Sequence, residues 1–283
     1  MSKHLGNGVH MKNVPSFDLG PALLFCPGDR PDRYQKAIDR ADAVIIDLED
    51  AVALDDKPAA REALVANQQD PERTIVRLNS VASGELDADL SALAMTDYRN
   101  VMLPKCESAD DVGVVAGVAK CHVIPLCETP KGVLNAQEIV AAKGVCAVMW
   151  GAEDLVAETG GYSSRGPDGQ YRDLPRFARS AVLLAASAHG KAAIDAVHLD
   201  FRDADGMRGK AEDAAAVGFA ASACLHPDQV PIVRAAYTPP ADRVAWAEQV
   251  LAAAEEHRGV FSFEGRMVDE PVLAQARRLL ARG

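Results

Sequence analysis

Two acids stand where apolar runs of this sequence stop: Glu128, in Pro-Leu-Cys-Glu-Thr-Pro-Lys-Gly132, and Asp154, in Met-Trp-Gly-Ala-Glu-Asp-Leu155. Carboxylates projecting from neighbouring strand ends make a site for a hard divalent cation such as Mg²⁺. The alternative is that each acid caps the helix that follows its strand. None of the seven His lies in a His-Glu-x-x-His or similar cluster, so oxygen donors and water would dominate, favouring Mg²⁺ or Mn²⁺ over zinc.

Other strand ends carry charge as well. Asp47-Leu-Glu49-Asp50 packs three acids into four residues, and the two-residue strand period puts Asp47 and Glu49 on one face. They either support a cation or cap the next helix. Arg77, in Val-Arg-Leu-Asn79, is a guanidinium on an apolar strand. A buried Arg must find an anion, so it pairs with one of these acids or with a substrate carboxylate. Lys105 follows Leu-Pro at the fourth strand end. After Phe25-Cys-Pro-Gly-Asp, the residues Arg30, Arg33 and Lys36 enter a helix whose N-terminus could attract phosphate, or whose basic side chains form a solvated face. His226, in Leu-His-Pro-Asp-Gln, reads as a hydrogen-bonded residue closing the last strand rather than as a catalytic base.

These side chains need elements that bring them together. Eight β-branched or apolar runs end in Gly, Pro or a polar residue: 22–26, 43–47, 74–77, 100–103, 122–126, 145–149, 193–199 and 221–225. Helical periodicity fills the gaps, over 32–40, 57–66, 108–119, 135–142, 175–189 and 208–216. Strict alternation implies parallel pairing with right-handed crossovers, and eight units close a TIM (β/α)8 barrel. An open doubly wound sheet is disfavoured, because no Gly-x-Gly-x-x-Gly turn follows the first strand.

Two segments exceed a minimal barrel. The polar, Gly-rich stretch 151–176 follows the sixth strand on the active-site side and is a candidate lid or substrate loop. From Thr238 onward come an amphipathic helix (241–257), the aromatic Gly-Val-Phe-Ser-Phe263-Glu-Gly, the segment Arg-Met-Val-Asp269-Glu-Pro and a final helix. The expected division is a flexible arm over 1–17, a barrel over 18–237, and a C-terminal helical extension over 238–283 that covers a neighbouring subunit.

The 283 residues are 48% hydrophobic, enough for a sizeable core, and the net charge of −11 repels nucleic acid and anionic membrane surfaces. The six cysteines lack metal-finger spacing and read as buried thiols. The start of the chain has no apolar stretch of signal-peptide length, and no run reaches transmembrane length. A reducing, cytoplasmic location is expected.

As an ordered set, Leu24-Phe-Cys-Pro-Gly-Asp-Arg-Pro-Asp-Arg33, Ile46-Asp-Leu-Glu-Asp-Ala-Val52, Val76-Arg-Leu-Asn79, Leu103-Pro-Lys105, Glu128-Thr-Pro-Lys-Gly132, Gly151-Ala-Glu-Asp-Leu155 and Leu225-His-Pro-Asp-Gln229 resemble the citrate lyase beta-subunit and malyl-/citramalyl-CoA lyase family of the HpcH-type aldolase superfamily. The resemblance spans nearly everything from Leu23 to the C-terminus. It implies a TIM barrel holding Mg²⁺ through Glu128 and Asp154, with Arg77 on the substrate's carboxylate or carbonyl oxygens. Asp47 and Glu49 would orient Arg77 or water on the metal. Coenzyme A would bind near Phe25, Arg30 and Lys36 as the carrier of the acyl substrate.

Met267-Val-Asp269-Glu-Pro271 is similar to a segment that supplies a catalytic aspartate to an adjacent subunit, with Val in place of Ile. The implied activity is Mg²⁺-dependent, reversible cleavage of a 3-hydroxyacyl-CoA such as citramalyl-CoA or malyl-CoA into acetyl-CoA and a 2-keto acid, by a homotrimer. Malyl-CoA thioesterase or malate synthase side activity, a non-catalytic acyl-carrier-binding subunit of a citrate lyase complex, and a pyruvate-dependent class II aldolase are the alternatives.

Overall fold

Every second residue of the strands points the same way, and the sequence sorts itself accordingly. In β2 (Ala43–Asp47), Ala43 and Ile45 join one buried apolar cluster while Val44 and Ile46 join another. The first cluster, with Leu23, Ile75, Met102, Ile124, Met149 and Ile194, fills the inside of a cylinder. The second lies between that cylinder and its helices. Strands buried on both faces need apolar residues at both parities, which is why these runs are continuous rather than alternating.

The computed structural model describes residues 17–119, 121–257 and 259–281. Its strands are β1 (Ala22–Pro27), β2, β3 (Thr74–Arg77), β4 (Asn100–Leu103), β5 (His122–Cys127), β6 (Ala147–Trp150), β7 (Ala192–Asp195) and β8 (Ala221–Cys224). All pair in parallel and in sequence order, and β8 pairs back onto β1 to close the barrel. The expected TIM barrel with a C-terminal helical extension is the observed fold.

Differences from the sequence expectation are local. β6 starts at Ala147 because Val145 makes only an isolated bridge to Val123. β7 stops at Asp195, well short of Leu199, because the next two carbonyls, of Ala196 and Val197, accept hydrogen bonds from the buried Lys210 ammonium instead of from a strand. Four helices, Leu86–Leu93, Pro130–Leu134, Glu153–Glu158 and Gln229–Tyr237, were not anticipated, and Glu153–Glu158 lies within the stretch read as a loop.

The arm expected over 1–17 lies outside the described residues except for Phe17, which packs with Leu19 against the inner cluster. At the other end, helix Ala241–Glu255, a hairpin of β9 (Phe261–Phe263) and β10 (Arg266–Val268), and helix Glu270–Leu280 pack on one another. They share a small core of Ala247, Val250, Val268, Leu273 and Ala276. The hairpin accounts for the aromatic segment around Phe263, and its turn residues Glu264 and Gly265 have φ of 47° and 74°, as a two-residue hairpin turn requires. All six cysteines are free and buried. Among the described residues no helix is long and apolar enough to cross a membrane.

Candidate functional site

The inner face that is apolar along the strands becomes charged at their C-terminal ends. Ile45 points inward, so Asp47 does; Ile75 points inward, so Arg77 does; and two residues past Leu126 comes Glu128. Register aligns Asp47 with Arg77 across β2 and β3. Arg77 Nε and Nη2 donate to Asp47 Oδ1 and Oδ2 at 2.7 and 2.5 Å, a bidentate pair. Glu49 Oε2 lies 2.9 Å from Arg77 Nη1 as a charge contact, without an aligned hydrogen bond. Phe25 of β1 lies beneath the guanidinium, 5.0 Å from ring centroid to Cζ.

Asp47 also accepts the Glu49 and Ala51 amides at 2.9 and 3.2 Å. Of the two roles the sequence left open it takes the first, supporting a cation in Arg77 while also shaping its own turn; the next helical turn, Leu54–Asp56, has Ala53 as its N-cap and no side-chain cap. For Glu128 and Asp154, capping is ruled out. The N-cap of Pro130–Leu134 is Thr129, whose hydroxyl accepts the Gly132 amide at 2.9 Å, and this frees Glu128 to face the barrel axis. Asp154 sits inside the first turn of Glu153–Glu158 rather than at its cap.

Lys105 joins the two halves of the site. Its backbone N–H donates to Glu128 Oε1 at 3.1 Å. The ammonium lies 2.5 Å from Glu49 Oε1, 3.4 Å from Asp50 Oδ2 and 3.5 Å from Asp154 Oδ1. Gly151 is required opposite: a Cβ there would stand 2.7 Å from Glu128 Oε2 and 2.8 Å from its Cβ.

Around these groups opens a cavity of about 400 Å³, lined by Phe25, Asp47, Asp50, Arg77, Glu128 and Asp154 and, on its apolar wall, by Leu126, Met149, Val197, Leu199 and Leu225. Burial pushes the Glu128 carboxyl up to about 8, and the nearby charges of Asp154 and Glu49 add to that, outweighing Lys105 and Arg77. Burial likewise raises Glu49 against the pull of Arg77 and Lys105. For Arg77 and Lys105 burial acts downward, yet their acidic partners prevail and hold both above their ordinary values, firmly protonated. Acids outnumber cations here, and the site lacks positive charge.

A family profile described as HpcH/HpaI aldolase/citrate lyase matches residues 22–227. The chain belongs to this family. It is 54% identical over 263 residues to a citrate lyase subunit beta-like protein of Mycobacterium tuberculosis, covering 93% of this chain and 95% of that one. It is 32% identical to the mitochondrial citramalyl-CoA lyase of Homo sapiens, over 95% of this chain and 85% of the enzyme. It is 34% identical to the (3S)-malyl-CoA thioesterase of Cereibacter sphaeroides, over 92% and 93%. The crystal structure of the M. tuberculosis protein CitE in complex with magnesium, acetoacetate and coenzyme A superposes with a TM-score of 0.89 at 54% identity, covering 93% of this chain and 97% of that one.

Within this HpcH/HpaI-type barrel the donor set fits Mg²⁺. Among the described residues no three His, Cys, Asp or Glu side chains are grouped to form an all-protein metal cage. Mg²⁺ does not use one, since it keeps its waters and takes one or two carboxylates plus substrate oxygens. Glu128 and Asp154 are two carboxylates on this cavity that could serve in that way, and a divalent cation would relieve the repulsion between them.

Not every residue singled out in the sequence reaches the cavity. Phe25 lines it, but Arg30 is ion-paired with Asp32 at 3.2 Å and Lys36 is exposed on helix Tyr34–Arg40; neither lines the cavity. Asp269 belongs to the C-terminal module, where its carboxylate caps helix Glu270–Leu280 through the Val272 amide at 3.4 Å. His226 accepts the Asp228 amide and stacks on Phe201, a turn residue beyond β8. Lys105 is the residue the sequence pointed to without assigning a role. The apolar wall of Val197 and Leu199 carries no local signal, since it comes from the loop beyond β7, which ends at Asp195.

Proposed function

We propose that this chain is a Mg²⁺-dependent carbon–carbon lyase that cleaves a 3-hydroxyacyl-CoA, such as citramalyl-CoA or malyl-CoA, reversibly into acetyl-CoA and a 2-keto acid. The observation that carries this reading is the pairing of Glu128 and Asp154 beside Arg77 in one cavity at the barrel mouth. The M. tuberculosis structure bound to magnesium, acetoacetate and coenzyme A, and the human enzyme named for citramalyl-CoA, support it.

Glu128 and Asp154 would hold the metal, which supplies Lewis-acid polarisation of the keto acid's carbonyl oxygen when bound. Arg77, fixed by Asp47 and Glu49, keeps N–H capacity on Nη1 and Nη2 for a substrate oxygen and meets charge developing there without having to reorganise. Asp47 and Glu49 act by positioning that guanidinium. In the condensation direction Asp269, reaching the cavity of a neighbouring subunit in a homotrimer, takes a proton from the acetyl-CoA methyl group, and the carbon so exposed attacks the keto carbonyl, whose oxygen takes up a proton from water to become the 3-hydroxyl. In cleavage the hydroxyl proton passes to water as the carbonyl re-forms and the carbon–carbon bond breaks, and the protonated Asp269 carboxyl returns its proton to the departing acetyl-CoA carbon. Phe25 sits where the thioester would enter, with Arg30 and Lys36 outside the cavity as candidates for the nucleotide end of coenzyme A. A reducing cytoplasm suits six buried, free thiols.

The thioesterase relative favours a second reading, in which water intercepts the thioester at the same site. A screen of citramalyl-CoA, malyl-CoA and citryl-CoA with Mg²⁺ and with chelator, following both keto acid and free coenzyme A, separates these. Keto acid with acetyl-CoA marks the lyase, and free coenzyme A without cleavage marks the thioesterase. Binding of thioester without turnover marks a non-catalytic acyl-carrier subunit, and cleavage of free hydroxy acids marks a class II aldolase. Mixing Asp269→Ala with Arg77→Ala protein tests the shared site, because activity returns only if one subunit completes another.

A further inference from the structure

Lys105 is one of two residues other than glycine with positive φ among the described residues, at 50°, and the other lies in the C-terminal hairpin turn. A left-handed lysine persists only where its surroundings enforce it, and such strain gathers at sites where it serves a purpose. Here the conformation turns the N–H onto Glu128 and sends the ammonium back among Glu49, Asp50 and Asp154. One residue therefore touches both proposed metal ligands, the first through its backbone and the second through its side-chain charge.

The acids at the mouth are Asp47, Glu49, Asp50, Glu128, Asp154 and Glu153, the last of which accepts the Ser164 hydroxyl at 2.7 Å. The cations are Arg77, committed to Asp47 and Glu49, and Lys105. A divalent cation arriving at Glu128 and Asp154 meets an ammonium already resting against Asp154. It must displace that contact and tolerate a like charge close by. An anionic keto acid gains from the same ammonium.

We propose that Lys105 is a positioning residue that makes cation binding conditional on substrate: its ammonium competes with the metal for Asp154, and the cost is recovered when the 2-keto acid's negative charge joins the site. The inference rests on the reading of Glu128 and Asp154 as the metal ligands. It goes beyond that reading by predicting synergy, so that Mg²⁺ and keto acid each bind weakly alone and well together.

Calorimetric titration of the full-length protein with Mg²⁺, without and with saturating pyruvate, tests this directly. Lys105→Met should bind Mg²⁺ alone about tenfold more tightly than the wild type, as expected for removing one like charge near a partly solvated site. Pyruvate should then improve Mg²⁺ affinity less than it does in the wild type. Lys105→Arg, which keeps the charge, should preserve the synergy.

Lys105→Gln keeps a donor for Glu49 without the charge and should behave as Lys105→Met. Thermal unfolding gives a second measure, because either neutral variant should gain more from Mg²⁺ than the wild type gains. Equal or weaker Mg²⁺ binding by both neutral variants would overturn the proposal, as would undiminished synergy. If Glu128→Gln leaves wild-type Mg²⁺ affinity intact, the ligand assignment itself has failed, and that result is independent of Lys105.

Discussion

Two buried ion networks lie within the same barrel and are built to opposite ends. Behind β6 and β7, Asp195 is fully buried and both its oxygens are used: Oδ1 accepts Trp150 Nε1 at 2.7 Å and Arg179 Nε at 3.0 Å, and Oδ2 accepts Arg179 Nη2 at 3.2 Å. Arg179 also reaches Asp213 at 2.6 Å and lies 4.9 Å from the Phe219 ring centroid. That network is closed. At the mouth, by contrast, Glu128 is almost as deeply buried, yet the contact described for it is a single backbone N–H, and its nearest charges include two further acids. A closed network holds the fold, and an open one keeps coordination capacity for something that arrives later.

The contrast is broken most severely at the open site. Glu128→Gln or Asp154→Asn should reduce Mg²⁺-dependent turnover about a thousandfold or more, the loss expected when several kcal/mol of charge stabilisation are removed. Without metal, Glu128→Gln should unfold no earlier than the wild type, since a neutral amide replaces a carboxyl that burial and like charge disfavour. Turnover and thermal melts in chelator decide the matter together. A Glu128→Gln protein that is inactive and also much less stable without metal would make Glu128 a structural residue like Asp195.

At the closed site the pattern reverses. Asp195→Ala strands the Arg179 guanidinium and the Trp150 indole N–H, and should cost about 3–5 kcal/mol in a urea titration. Its effect on turnover should follow the folded fraction. If the variant is stable but inactive, Asp195 serves the cavity and the comparison fails.

Protonation sharpens the same difference. In the metal-free protein Glu128 titrates at about 8, well above the value of an exposed carboxylate. Between those two values the folded state binds more protons than the unfolded state, so its stability falls as pH rises through that window. Mg²⁺ favours the ionised form and should flatten the slope. Melting temperatures across that range, with Mg²⁺ and with chelator, check the sign. A slope unchanged by Mg²⁺ would detach Glu128 from the metal.

The barrel was legible in the sequence because its signal is distributed. Eight apolar runs recurring between amphipathic stretches survive an error at any one of them, as the misplaced ends of β6 and β7 show. The acids were legible for a related reason: a charge two residues beyond an inward Ile or Leu has to emerge inside the mouth. Asp47, Arg77 and Glu128 all obey that parity. What the sequence could not carry was partner choice. That Thr129 rather than Glu128 caps its helix, and that Lys105 takes a left-handed backbone to reach across to Glu49, depend on distances between strands. The hairpin at 261–268 was missed because three-residue strands offer too little periodicity to read.

The smallest predicted effect bears on how tightly the open site is framed. Gly151 and Gly209 are both glycines with ordinary backbone angles, but a Cβ at Gly151 would press on Glu128 Oε2 and Cβ, while one at Gly209, within helix Ala204–Val217, would meet nothing within 4 Å. Gly209→Ala should therefore stabilise the protein by about 0.4–1 kcal/mol through the entropy of the unfolded chain. Gly151→Ala should cost about 1–3 kcal/mol as Glu128 is pushed aside, and it should also weaken Mg²⁺ binding, which Gly209→Ala leaves unchanged. Calorimetry and melts on the two variants separate general packing from the framing of one carboxylate. If Gly151→Ala binds Mg²⁺ as the wild type does, the close approach is packing alone, and Glu128 is held in place by the Lys105 amide without help from the end of the neighbouring strand β6.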